Sequence, residues 1–169
     1  MSLHKISGNL LTLAAEGKFD WVLHGCNCHH TFGSGIARSI AEKWPAAAAA
    51  DRKTPYGDRR KLGASTNALI TTEARPFYVV NVYTQFGVSS EKDQFEYEAF
   101  ERYLVKLARR TKLMPKVQIG MPYIGSGRAN GDWQRIEKLI QTFAESNADV
   151  YLVDYRPHVP LDPHLNFET

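Results

Sequence analysis

The sequence predicts an α/β fold, a three-layer α/β/α sandwich around a central mixed sheet of six or seven strands, and three observations predict it. Near-continuous apolar runs of strand length, which belong in a sheet covered on both faces, alternate with segments of helical period. Three of those helical segments carry a long apolar stripe, enough to supply the covering layers. The 169 residues can bury one substantial core but are too few for a second full domain.

Taken in order, residues 4–7 begin a short strand and residues 21–28 form the next. Residues 64–72 and 77–85 read as a hairpin-like pair about Glu73-Ala74-Arg75-Pro76, and 117–124 and 150–155 complete six. Between them, residues 35–44 carry Ile36, Ile40 and Trp44 at i, i+4 and i+8, one stripe facing a sheet, and Pro45 stops it. The alanine run 46–50 continues as a second short helix, because alanine has the highest helix propensity. Residues 94–110 repeat the stripe with Phe95, Ala99, Phe100, Tyr103, Leu104 and Leu107. Residues 133–145 do so with Trp133, Ile136, Leu139, Ile140 and Phe143, behind Asp132 as N-cap. Asp93, in the segment before the 94–110 helix, reads as an N-cap or a weak carboxylate candidate. Residues 156–169 hold three prolines and no periodicity, so they read as an extended tail on a domain formed by residues 1–155.

Charge and composition exclude several classes. Lys and Arg number 21 against 18 Asp and Glu, which gives no broad electrostatic footprint for nucleic acid but leaves room for a small anion in a cleft. No window approaches the apolar length of a membrane span, and the N-terminal residues lack the charged and apolar regions of a leader. A cytoplasmic monomer is expected, or a nuclear one in a eukaryote, with no membrane partner. Cys26 and Cys28 share one face of an extended segment and read as reduced thiols; without a second pair there is no zinc framework. No two-metal carboxylate cluster or His-x-His set is evident, so neither metal nor cofactor is expected.

Two strand-to-helix junctions are rich in glycine: residues 27–35, N-C-H-H-T-F-G-S-G, and residues 125–131, G-S-G-R-A-N-G. Glycine lets backbone N–H groups approach a ligand closely, and a helix start adds partial positive charge, so together the junctions form a diphosphate site without lysine. A dinucleotide-binding fold of the Rossmann kind is the competitor. The first strand is not followed by G-x-G-x-x-G, so that match fails.

The run Asn27 to Ala37, N-C-x-x-x-F-G-S-G-I-A, resembles a macro domain. So do Ser7-Gly8-Asn9-Leu10, Met121-Pro122-Tyr123-Ile124-Gly125-Ser126-Gly127 and the closing strand Val150-Tyr151-Leu152-Val153-Asp154-Tyr155. Within that superfamily, His24-Gly25-Cys26-Asn27-Cys28, F-G-S-G-I-A and Trp44-Pro45-Ala46 are most similar to the fungal ADP-ribose-1″-phosphate phosphatases. The resemblance implies a small-molecule partner, ADP-ribose or its 1″-phosphate, and hydrolysis of that phosphate. Two other readings stay open: a hydrolase releasing ADP-ribose from protein or nucleic acid, and a module that binds ADP-ribose without turnover. Nucleic acid is expected only as an ADP-ribosylated substrate.

Residue by residue, the resemblance puts Asn9 and Leu10 at the adenine, where Asn9 offers an amide oxygen to the amino group. On spacing alone Asn9 reads equally as an Asx turn. Asn27 falls beside the distal ribose, or is a strand-end cap. Gly33, Ser34, Gly35 and Ile36 match the first diphosphate loop; Gly125, Ser126, Gly127 and Arg128 match the second, and Tyr155 flanks the adenine or sits as an edge aromatic. A different branch, resembling the terminal ADP-ribose protein glutamate hydrolases, uses a lysine and an aspartate where this chain has Gln85 and Ala129. A lysyl adduct is therefore unsupported. The proton-transfer candidates are His24, His29 and His30, because histidine titrates near neutrality. His24 lies in an apolar strand and reads equally as a core histidine.

Overall fold

A computed structural model of the chain describes residues 2–33, 35–88, 94–126, 129 and 131–155. Six strands make one sheet: β1 (Leu3–Gly8), β2 (Trp21–Cys26), β3 (Ser65–Ile70), β4 (Phe77–Tyr83), β5 (Gln118–Met121) and β6 (Asp149–Tyr155). Their order is β1-β6-β5-β2-β4-β3, and every pairing is parallel except β3–β4. The antiparallel edge is the hairpin expected about residues 73–76. β2 stops at Cys26, short of Cys28, because Asn27 turns its Oδ1 onto the His29 N–H at 2.8 Å. β5 stops at Met121, since Pro122 has no N–H to donate to a ladder.

The helices are α1 (Leu10–Ala15), α2 (Gly35–Lys43), α3 (Pro45–Arg52), α4 (Tyr97–Thr111) and α5 (Trp133–Asn147), with a 3₁₀ turn at Arg59–Lys61. The stripes predict α2, α4 and α5, the alanine run predicts α3, and Asp132 caps α5 by accepting from the Gln134 N–H. α1 is unanticipated. Asn9 nucleates it by accepting from Leu11 and Thr12 N–H at 3.0 and 3.2 Å, and four of its six residues are buried. α4 begins at Tyr97 rather than residue 94 because the segment before it is spent elsewhere. Gln94 N–H donates to Ala129 O, Phe95 bridges Gln85, and Glu96 N–H donates to Thr84 O. The expected cap Asp93 and the tail 156–169 lie outside the described residues.

Strand alternation divides the core between two layers. Val22, Val79, Tyr151 and Val153 meet Leu10, Leu13, Ile40, Trp44 and Ala47 from α1, α2 and the start of α3. On the other face Leu23, Val80, Val82, Val150 and Leu152 meet Phe100, Leu104, Ile136 and Ile140 from α4 and α5. Each fully buried aliphatic or aromatic side chain contributes about 1.5–3 kcal/mol. Among the described residues no helix is long and apolar enough to cross a membrane.

Candidate functional site

Neighbouring parallel strands β5 and β2 send their following helices to opposite faces, α5 to one and α2 to the other. Where helices part in this way the carboxyl ends of the strands are left uncovered, and a crevice opens. It is a cleft of about 580 Å³. Asn27, Thr31, Gly33, Gly35, Ile36 and Ala37 form one wall. Residues 122–126 and Ala129 form the other, and Thr84, Gln85 and Val88, after β4, close the back.

Both glycine-rich junctions expected to hold phosphate meet here. Gly35 opens α2 with φ +57°, and a Cβ there would meet nothing within 4 Å, so the backbone faces open space. Gly125 has φ +79°, and a Cβ there would lie 2.5 Å from the Phe95 ring. That glycine is needed so that the second loop can lie flat on the core. Ser126 Oγ donates to Tyr123 O at 2.7 Å, tightening the same turn. Ser34, Gly127 and Arg128 lie outside the described residues.

Asn27, at the end of β2, is held at both ends: Nδ2 donates to Thr31 Oγ1 at 2.6 Å while Oδ1 accepts from His29 N–H. Among the described residues no imidazole, carboxylate, ammonium or guanidinium lines the cleft. Burial pushes the Cys26 thiol well above its ordinary pKa, so it lines the floor as a neutral group. What the walls offer a ligand is neutral dipoles: backbone N–H groups, the α2 N-terminus, amides and hydroxyls.

The expected histidines are not among these walls, and each has a physical reason. His24 is 0% exposed. Its Nε2 donates to Asn81 Oδ1 at 2.6 Å, Asn81 Nδ2 donates to Thr66 Oγ1 at 3.0 Å, and Tyr83 donates to Asp51 at 2.7 Å. Burial, only partly opposed by the Asn81 bond and by Asp51, lowers its pKa to about 4. It is a neutral core residue with its one N–H committed. His29 donates from Nδ1 to Phe86 O at 2.8 Å, and His30 donates from Nε2 to Thr54 O at 2.8 Å. Both rings pack edge-on against Tyr56, on the outer side of the loop.

The residues expected beside an adenine gather at a neighbouring strand end, since Gly8 is in register with Tyr155 and Asn9 follows Gly8. Neither Asn9 nor Leu10 lines the cleft. Asn9 spends its oxygen on the α1 cap, and the Leu10 side chain is fully buried in the core. Sequence reasoning missed Thr84 and Val88, and it placed Thr31 and Tyr123 in the right segments without singling them out. One signal was available for Thr84: a parallel sheet brings the carboxyl ends of all its strands to one edge, so the loop after residues 77–83 had to contribute.

No protein-family model matches the chain. It is 36% identical over 160 residues, 93% of its length and 99% of the relative's, to a 17.5 kDa protein of the tk–vs intergenic region of enterobacteria phage T4. It is 26% identical to ADP-ribose 1″-phosphate phosphatases of Lodderomyces elongisporus, over 91% and 100% of the two chains, and of Candida albicans, over 88% and 97%. Among solved structures, a Bacteroides thetaiotaomicron protein superposes with TM-score 0.72 at 25% identity, covering 90% of this chain and 98% of that one. The macrodomain of Mycobacterium tuberculosis DarG gives 0.69 at 18% identity, over 92% and 97%. Thermosipho africanus DarTG, solved with ADP-ribose, gives 0.68 at 13%, over 95% of this chain and 43% of that one. With relatives matched along nearly the whole chain and the same mixed sheet between two helical layers, this chain belongs to the macro domain family, close to its fungal ADP-ribose-1″-phosphate phosphatase branch.

Proposed function

We propose that the protein binds ADP-ribose in the cleft, its diphosphate between the loop at Gly33–Ile36 and the loop at Gly125–Arg128, and hydrolyses the 1″-phosphate monoester. One observation carries the binding half: two glycine loops and a helix start converge at the β2/β5 switch point with no acidic side chain among the described lining residues. Such a site neutralises a diphosphate with fixed dipoles at no cost in side-chain ordering. The fungal relatives named for this phosphatase activity, and the Thermosipho neighbour solved with ADP-ribose, support the reading.

For the chemical step, the distal ribose lies toward Asn27, whose amide is preorganised by Thr31 and His29. Asn27 orients the sugar and an attacking water while the loops stabilise charge on the phosphoryl group. With its proton committed to Asn81, His24 supports the β2 end from beneath. A second reading, a binding module without turnover, is favoured by one specific fact: all three histidines are engaged away from the cleft.

Calorimetry with ADP-ribose, together with phosphate release from ADP-ribose-1″-phosphate, separates these readings. Gly35→Glu should abolish binding in a folded protein, because the new side chain enters open cleft and brings a like charge to the diphosphate. Asn27→Ala should lower turnover on the order of a hundredfold, the scale on which removing one preorganised donor acts. Unchanged affinity in Gly35→Glu refutes the diphosphate assignment. Wild type that binds but releases no phosphate is a binder. A large loss of turnover with unchanged affinity in His29→Ala or His30→Ala restores histidine as the proton donor.

A further inference from the structure

The chain's modest net charge conceals a local concentration. Residues 52–61, R-K-T-P-Y-G-D-R-R-K, hold five basic side chains against one acidic, a net +4 within a chain whose total is +3. The segment follows α3 and is anchored on the outer side of the first cleft loop, where Gly57 N–H donates to Cys28 O at 2.7 Å. At its crest Tyr56 stands 70% exposed, its ring edge-on to His29 and His30 at 5.2 and 5.5 Å between centroids. Phe86 adds a further ring, edge-on to His29 and covered by the Arg59 guanidinium at 4.2 Å. Phe86 directly follows the lining residue Gln85, and His29 lies in the loop between the lining residues Asn27 and Thr31, so this surface shares the cleft's rim.

The cations are of two kinds. Lys61 is buried and donates to Thr54 Oγ1 at 2.9 Å, so it braces the segment. Lys53, Arg59 and Arg60 are exposed, Arg60 sharing its charge with Asp58 at 2.7 Å and Arg59 lying 4.0 Å from Glu96. A solvated charge run alone needs no partner. An exposed aromatic in ring contact with two imidazoles between such cations is a different object, because its exposed surface offers a plane for stacking and leaves the cations to meet a negative backbone. Alternating stacked planes and phosphates is the chemistry of a single-stranded polynucleotide.

We propose that the Lys53–Arg60 surface binds single-stranded nucleic acid, a base stacking on Tyr56 and flanking phosphates meeting Lys53, Arg59 and Arg60. The strand runs along the cleft rim on the Asn27 side. A duplex buries its base faces and cannot use the tyrosine, and an acidic peptide supplies charge without the planes. The surface lies outside the cleft walls, so it stands or falls apart from the cleft's own ligand.

Fluorescence anisotropy of a labelled twelve-nucleotide oligo(dT) at low salt, titrated with the full chain, tests this. Binding should weaken with a salt slope of roughly 0.7 per phosphate contacted. Tyr56→Ala should cost about tenfold, within the range measured for losing one base stack. Lys53→Ser with Arg60→Ser should cost a similar factor and flatten the slope by one to two contacts. Both variants are at the surface and should bind ADP-ribose calorimetrically as wild type does. Absence of oligo(dT) binding at low salt overturns the proposal, as does binding unaffected by Tyr56→Ala. Poly-glutamate competing as well as unlabelled oligo(dT) overturns it too and assigns the surface to an acidic polypeptide.

Discussion

His24 carries a polar group into a buried strand, and its energetics follow from which proton it keeps. The Nε2 hydrogen goes to Asn81, whose own amide donates onward to Thr66 and to Ala47 O, and what Nδ1 faces is the buried Cys26 sulfur at 3.9 Å, a weak acceptor for a second imidazole proton. With its folded pKa near 4 against an ordinary 6.5, the ring binds a proton in the unfolded chain that the folded chain refuses. This contribution to stability is complete above pH 6.5 and is lost as pH falls toward 4, by roughly 2 kcal/mol between pH 7 and pH 5. Urea unfolding at the two pH values should show that drop in wild type and a smaller one in His24→Gln. Equal drops would mean that the ring titrates alike in both states. The same residue marks a limit of sequence reading: an apolar strand with one histidine is compatible with a catalytic group or a core group, and Asn81, which decides between them, lies 57 residues away.

Among the elements, β5 is the shortest strand and is crossed most closely. Gly120 faces the Phe19 ring, and a Cβ there would come within 2.6 Å of it. Phe19 is fully buried beneath the sheet, so neither side can yield cheaply. Gly120→Ala should destabilise the protein by about 1–3 kcal/mol through overpacking, while Phe19→Leu in the same chain should recover part of it. Chemical denaturation of the three variants measures this, and additive effects would contradict the contact. The strands and the three long helices were legible because their periodicities extend over many residues. α1 was not: six residues are too few for a stripe to repeat, and the Asx turn that spacing allows at Asn9 does not by itself announce a helix behind it. The start of α4 was misjudged because residues 94–96 bond to distant loops, a tertiary demand that outweighs local helical pattern.

For the molecule as a whole, the two glycine loops could be located in the sequence because parallel topology carries all strand ends to one edge. The orientation of His29 and His30 could not, since it depends on the 54–57 segment folding back across the loop. A cleft preformed between two rigid layers ties ligand binding to global stability. ADP-ribose at a hundred times its dissociation constant should add about 2.7 kcal/mol, raising the melting temperature by roughly 5–10 °C for a domain of this size. Calorimetric or fluorescence melts with and without ligand check it, and an unmoved transition under saturating ligand would uncouple cleft and fold. The arrangement of β1 and β6 has a mechanical corollary. The two strands run in the same direction over six registered pairs, Leu3 beside Val150 at one end and Gly8 beside Tyr155 at the other. Traction that draws the start of β1 away from the end of β6 loads their hydrogen bonds side by side, in shear, instead of peeling them one at a time. Held by β1 and β6, the domain is a clamp, and traction applied across those two strands meets that whole seam at once.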